Sequence, residues 1–226
     1  MPSPLTRLGV ASDDFPLSEG KLTVRLFTAI ELHDDARQAI AAEQTRIAGV
    51  LGRGAAASLK WTRPEHMHLT LVFLGEIEEA QAPAVIDAMG ADIDEAEPFS
   101  IVFAGLGLFP PHRAPRVLWL GLSTGATEAI ELQRQVAERL SPTGVTIEER
   151  TFHPHLTLAR WREARNADRR RIAAVDHGAE VARVDVGAVT LYQSRLSSSG
   201  STYTVLARAP LVGGTWRGAS APRSQA

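Results

Sequence analysis

The tetrapeptide His-Leu-Thr-Leu occurs twice, at residues 68–71 and 155–158, 87 residues apart. Thr and Leu in alternation suit a strand. Alternate residues of a strand share one face, so each copy puts an imidazole and a hydroxyl on one side and two leucines on the other. A fold that accepts both copies must bury two leucine faces under helices and leave two polar faces open. The surrounding elements recur as well, in the order strand, helix, strand, helix, strand, followed by roughly the same order again.

Period and punctuation give the elements. Leu22 to Leu32 alternates as a strand, with Leu22, Val24, Leu26 and Thr28 on one face. Asp34 to Leu51 reads as a helix with two carboxylates in its first turn. Leu59 to Thr62 is a short extended piece, and His68 to Leu74 is a strand that Gly75 ends. Glu78 to Ala96 is a helical stretch with Pro83 near its start, and Phe99 to Phe109 is a strand. After a break at Pro110, Pro111 and Pro115, Val117 to Leu122 is a strand and Thr127 to Leu140 a helix. Thr151 to Trp161 is extended and Asn166 to Val175 is a short Arg-rich helix. Val181 to Leu191 and Thr202 to Leu211 are strands, separated by the turn-like segment 197–200. The expectation is an α+β protein of two pseudo-symmetric lobes, each a small, mainly antiparallel sheet covered by helices, with a cleft between them. Residues 21–212 form this single bilobal domain, flanked by a disordered extension (1–20) and a disordered tail (213–226).

Composition narrows the function. With no cysteine there is no disulfide, thiolate nucleophile or thiolate metal site. A formal net charge of −2 argues against a general nucleic-acid coat, though not against a small basic pocket for one phosphate. No apolar run approaches the roughly 20 residues of a membrane span, and the N-terminal residues are not a secretory signal. A cytoplasmic monomer without membrane contact is the expectation.

Two imidazoles and two hydroxyls facing one cleft suit phosphodiester hydrolysis. One imidazole, with a pKa near 6.5, takes a proton from attacking water while the other protonates the departing oxygen. The hydroxyls of Thr70 and Thr157 donate to the non-bridging oxygens, where charge gathers in the transition state. No cofactor is required. A single strand histidine is ordinarily structural; it is the recurrence of the whole motif that singles out His68 and His155. Two further histidines make His66-Met67-His68 and His153-Pro154-His155 His-x-His pairs, a spacing that can hold a metal. The remaining histidines, His33, His112 and His177, complete no ligand motif, and no metal is expected.

The segments around the motifs resemble the two-histidine (2H) phosphoesterase superfamily, and within it the bacterial and archaeal RNA 2′,3′-cyclic phosphodiesterases, also called 2′-5′ RNA ligases. The resemblance rests on residues 25–32 (RLFTAIEL), 61–65 (WTRPE), 73–76 (FLGE), 105–110 (GLGLFP), 116–121 (RVLWLG) and 152–160 (FHPHLTLAR). It implies that His68 protonates the leaving 3′ oxygen and His155 activates water, so that the phosphate stays on the 2′ oxygen. The reverse step would join a cyclic end to a 5′ hydroxyl in a 2′-5′ linkage. The resemblance also implies a phosphate-binding role for Arg160, five residues past His155, and a nucleotide contact for Tyr203. Odd spacing puts Arg160 on the wrong face of a regular strand, so a bulge or strand end is needed there. At the same offset the first motif has Phe73, which reads as core rather than as a base platform. The substrate is an RNA end or a small cyclic nucleotide. Arg160, Arg162, Arg165, Arg169, Arg170 and Arg171 form either a basic rim or a solvated helix face. The competing class is a non-catalytic nucleotide- or RNA-binding module, against which the intact His and Thr of both motifs argue.

Overall fold

In the computed structural model, residues 22–148, 151–163, 165–175, 178–197 and 200–213 are described. The expected extension at residues 1–20 and nearly all of the tail at 213–226 lie outside them, as does His177.

Nine strands form two antiparallel sheets among the described residues. The strands are β1 (Thr23–Glu31), β2 (Leu59–Trp61), β3 (His68–Glu78), β4 (Phe99–Phe109), β5 (Val117–Thr124), β6 (Leu156–Trp161), β7 (Glu180–Val186), β8 (Ala188–Ser197) and β9 (Gly200–Pro210). The first sheet has the order β3-β1-β8-β9 and the second β2-β6-β5-β4-β7. Four helices accompany them: α1 (Asp34–Ala56), α2 (Ala82–Gly90), α3 (Ala126–Leu140) and α4 (Asn166–Ala173). The α+β architecture of two lobes is therefore as the sequence suggests, but the lobes are not the two halves of the chain. β2 from the first half joins the second sheet, and β8 and β9 from the second half complete the first. The helices cross over in the same way. α1 leaves β1 and packs on β2 and β7 of the second sheet, whereas α3 leaves β5 and packs on β3 of the first. One continuous core results, with Leu69, Leu71, Leu156 and Leu158 all inside it.

Three boundaries differ from expectation for identifiable reasons. β3 does not stop at Gly75 but runs on to Glu78, because Gly75 takes a positive φ of 69° in a bulge where Leu74 has no partner on β1. The helix expected over 78–96 is a 3-10 turn followed by the shorter α2, with Pro83 tolerated in the first turn. Val85, Met89, Ile93 and Ala96 are all buried, so the period reports the core even where the chain beyond Gly90 is no longer helical. The single strand expected over 181–191 is two strands, broken at Gly187, that belong to different sheets. Among the described residues no helix is long and apolar enough to cross a membrane.

Candidate active site

β3 and β6, which carry the two motifs, meet where the sheets face each other. Their registers show how each motif presents its side chains. On β3, His68, Thr70 and Phe73 lie opposite Glu31, Ala29 and Phe27 of β1. Those three β1 residues alternate, so they share one face, and their three partners share it too. Phe73 reaches that face because Leu71 is an unpaired bulge residue between Thr70 and Val72. The second motif repeats the device. Thr157 lies opposite Trp119 and Arg160 opposite Val117, with Leu158 left over as the bulge residue. This is the irregularity that the odd spacing of Arg160 demands, and it turns the guanidinium to the Thr157 side.

Both bulges are secured by buried polar groups. In the first, the Val72 N–H donates to the Oγ1 of Thr28 (3.1 Å), a hydroxyl wholly shielded from solvent. In the second, the Leu158 carbonyl accepts from the Thr62 N–H (2.8 Å) and from Nε2 of Gln44 on α1 (2.9 Å). The same Gln44 nitrogen also donates to the Thr62 carbonyl (2.9 Å). A buried amide with two acceptors fixes the strand where Arg160 must project.

Thr70, His155, Thr157 and Arg160 line one cleft of about 730 Å³ between the lobes, together with Phe73, Phe109 and Phe152. His68 is on the same strand face as Thr70 but is not itself among the lining residues. Its ring stacks on Phe27 (4.8 Å between centroids) and meets Tyr203 edge-on (5.5 Å). Tyr203 also touches His66 (4.9 Å) and is not a cleft-lining residue. His155 has a matching cage, edge-on to Phe109 (5.1 Å) and beside Trp119 (5.9 Å). Trp119 in turn lies across Gly107, its cross-strand partner; a Cβ there would sit 2.0 Å from the indole, so only glycine leaves room.

Each motif histidine is also tied to the residue two positions upstream. Nδ1 of His155 is 2.7 Å from the His153 carbonyl. A carbonyl only accepts, so the proton of the neutral ring sits on Nδ1 and leaves Nε2 free. His68 makes the corresponding backbone hydrogen bond with His66. In this structure the backbone carbonyls of His66 and His153 therefore orient the rings that follow. Among the described residues no three His, Asp or Glu side chains gather as a metal site would need.

Burial among these rings lowers both imidazole pKa values. For His68 desolvation brings the value down to about 4, opposed by the His66 carbonyl and assisted by the charges of His66 and Arg37. For His155 burial again leads, opposed by the His153 carbonyl and assisted by Arg160 and His153. Both shifts favour the neutral form of the ring.

The arginine run past the second motif divides. Arg169 donates to the Pro110 and Arg113 carbonyls (2.7 Å each), securing the loop at the cleft mouth, and Arg171 pairs with the buried Asp168 (2.8 Å). Arg160, Arg162, Arg165 and Arg170 are exposed. Phe73, expected in the core, is 42% exposed and lines the cleft. The sequence pattern also gave no sign of Gln44, Phe27 or Trp119, whose roles depend on register between distant strands.

Comparison with known proteins agrees with this architecture. The family described as LigT like Phosphoesterase matches the chain twice, over residues 35–119 and 120–203, one motif in each. An RNA 2′,3′-cyclic phosphodiesterase of Aquifex aeolicus is 37% identical over 152 residues, covering 65% of this chain and 79% of that protein. One of Methanothermobacter thermautotrophicus is 32% identical over 184 residues, 81% of this chain and 96% of the relative. The structure of E. coli LigT complexed with 3′-AMP superimposes with a TM-score of 0.67 at 26% identity, covering 84% of this chain and 99% of LigT. With both repeats and both motifs matched, the chain belongs to the LigT-like phosphoesterase family.

Proposed function

We propose that the protein hydrolyses the 2′,3′-cyclic phosphate at the end of an RNA to a 2′-phosphate, by acid–base catalysis from His68 and His155 and without a metal. The observation that carries this is the doubled arrangement of the two motifs: caged imidazoles tied to a carbonyl two residues upstream, and Thr70, Thr157 and Arg160 turned into one cleft. The names of the relatives supply the substrate class.

In this reading the cyclic phosphate sits between the two threonines. Their hydroxyls donate to its non-bridging oxygens, and the guanidinium of Arg160 balances the charge that gathers there. Nε2 of His155 accepts a proton from the attacking water as the new P–O bond forms. His68 gives a proton to the 3′ oxygen as the P–O3′ bond breaks. His68 needs that proton first, and the arriving phosphate anion favours it by raising the imidazole pKa. With a 5′ hydroxyl in place of water as the nucleophile, the same displacement forms a P–O5′ bond as P–O3′ breaks, which leaves a 2′-5′ linkage. Tyr203 is assigned to holding the His68 ring as well as to a nucleotide contact.

The test is regiochemical. An oligoribonucleotide with a 2′,3′-cyclic end should give only the 2′-phosphate, read by ³¹P NMR. A 3′-phosphate product, or turnover confined to a small cyclic nucleotide, would overturn the proposal.

A further inference from the structure

The strand of the second motif ends in a row of cations. Across the β2–β6 ladder Lys60 lies directly opposite Arg160. One step on, the Arg162 N–H donates to the Ser58 carbonyl (2.9 Å), so the alternation continues. Cross-strand partners share a face. Leu59, Trp61 and Trp161 turn to the core, so Lys60, Arg160 and Arg162 turn the other way, and all three are exposed. Arg160 lines the cleft, and the other two continue the row past its edge.

Folding does not explain this row. Like charges directly opposite each other weaken an antiparallel pair. Elsewhere Arg46, Arg134 and Arg183 each lie on a glutamate three residues before them. Lys60, Arg160 and Arg162 are in no ion pair among the described residues. A charge on the short edge strand β2 does keep that edge from pairing with another chain. A glutamate opposite Arg160 would blunt the edge as well and would also form a favourable pair.

We infer that Lys60 and Arg162 hold the phosphate that precedes the reacting nucleotide in an RNA chain. The inference rests on the reaction proposed above and decides between its substrates. A chain that ends in a cyclic phosphate has neighbouring phosphates only on its 5′ side, and a nucleoside cyclic phosphate has none. Spacing fits. Alternate residues of a strand repeat at about 7 Å, the scale of one nucleotide step, so with Arg160 at the reacting phosphate Arg162 stands at the next. The four-carbon stem of Lys60 brings its ammonium to that step from across the ladder. Such contacts position a strand and read no sequence. The protein as a whole carries a formal charge of −2, so an RNA end is drawn to this row and not to the surface at large.

The experiment measures kcat/KM on adenosine 2′,3′-cyclic phosphate and on a tetra-adenylate ending in a 2′,3′-cyclic phosphate, from about 50 to 200 mM salt. It compares wild type, Lys60→Ala and Arg162→Ala with Arg183→Ala, a control on the far edge of the same sheet. Wild type should prefer the tetra-adenylate. Lys60→Ala and Arg162→Ala should each lower kcat/KM on it about 3- to 30-fold, mainly through KM, and should flatten its salt slope by about 0.7. Both should turn over the mononucleotide as wild type does, which also shows that they fold, and Arg183→Ala should change neither substrate. An equal loss on both substrates, no loss on the tetra-adenylate, or an unchanged salt slope would overturn the inference while leaving the reaction standing. Wild type that turns over neither substrate would overturn the reaction itself, and the inference with it.

Discussion

Replacing His68 by Gln should remove a specific acid sensitivity from the folded state. The unfolded His68 titrates near 6.5 and the folded one at about 4. Between those values the unfolded chain holds a proton that the folded protein refuses, so stability falls as pH falls through this window and levels off below it. At roughly 1.4 kcal/mol for each pH unit of difference, the limiting loss is about 3 kcal/mol, of which about 2 kcal/mol should appear between pH 7 and pH 5. Residual contact of the ring with water reduces this, so a loss of about 1–2 kcal/mol is expected. Urea unfolding of wild type and His68→Gln at several pH values isolates the effect, because every other group titrates alike in both. The wild-type free energy should drop more steeply towards pH 5 by that amount. Parallel curves, within about 0.5 kcal/mol, would mean that His68 is solvated and that the cage of Phe27 and Tyr203 does not enclose it.

Other consequences follow from the same geometry. Both imidazole values lie below 6.5 in the free protein, so kcat/KM should be bell-shaped with its optimum between about pH 4 and 6.5; an optimum above pH 7.5, or a monotonic rise from pH 5 to 9, would contradict the assignment. Arg160→Ala should lower kcat about 100-fold with Lys restoring part of it, measured at saturating substrate; a loss seen only in KM would remove Arg160 from the transition state. Gln44→Leu leaves two buried carbonyls each one donor short and should cost about 1–3 kcal/mol in urea unfolding while lowering kcat through the displaced Arg160; unchanged kcat would separate the bulge from catalysis. Gly107→Ala drives a methyl group into the Trp119 indole and should cost at least 1–3 kcal/mol, with Trp119→Ala, Gly107→Ala recovering more than additivity allows; additive losses would place the indole elsewhere.

The sequence made the motifs legible because a strand converts spacing into facing. Leu69, Leu71, Leu156 and Leu158 fall inside and their His and Thr neighbours fall opposite, as alternation requires. It also showed that Arg160 needs a bulge or a strand end, since five is an odd number, and the register supplies the bulge. The same arithmetic applied to Phe73, yet its apolar character suggested the core; only the pairing with Phe27 puts it on the cleft face. Lobe membership was hidden for a different reason. Residues 181–191 read as one strand because valines recur on both sides of Gly187, and only that glycine marks where the chain changes sheets. Gln44 sits 114 residues from the carbonyl it holds, a contact that no local pattern reports.

The most direct test of the whole account is turnover in excess EDTA of a short RNA ending in a 2′,3′-cyclic phosphate, by wild type, His68→Ala and His155→Ala. Wild type should convert it to a 2′-phosphate, undiminished by the chelator, and each variant should lose at least about 100-fold in rate. Activity abolished by EDTA, or retained when either histidine is removed, would contradict it.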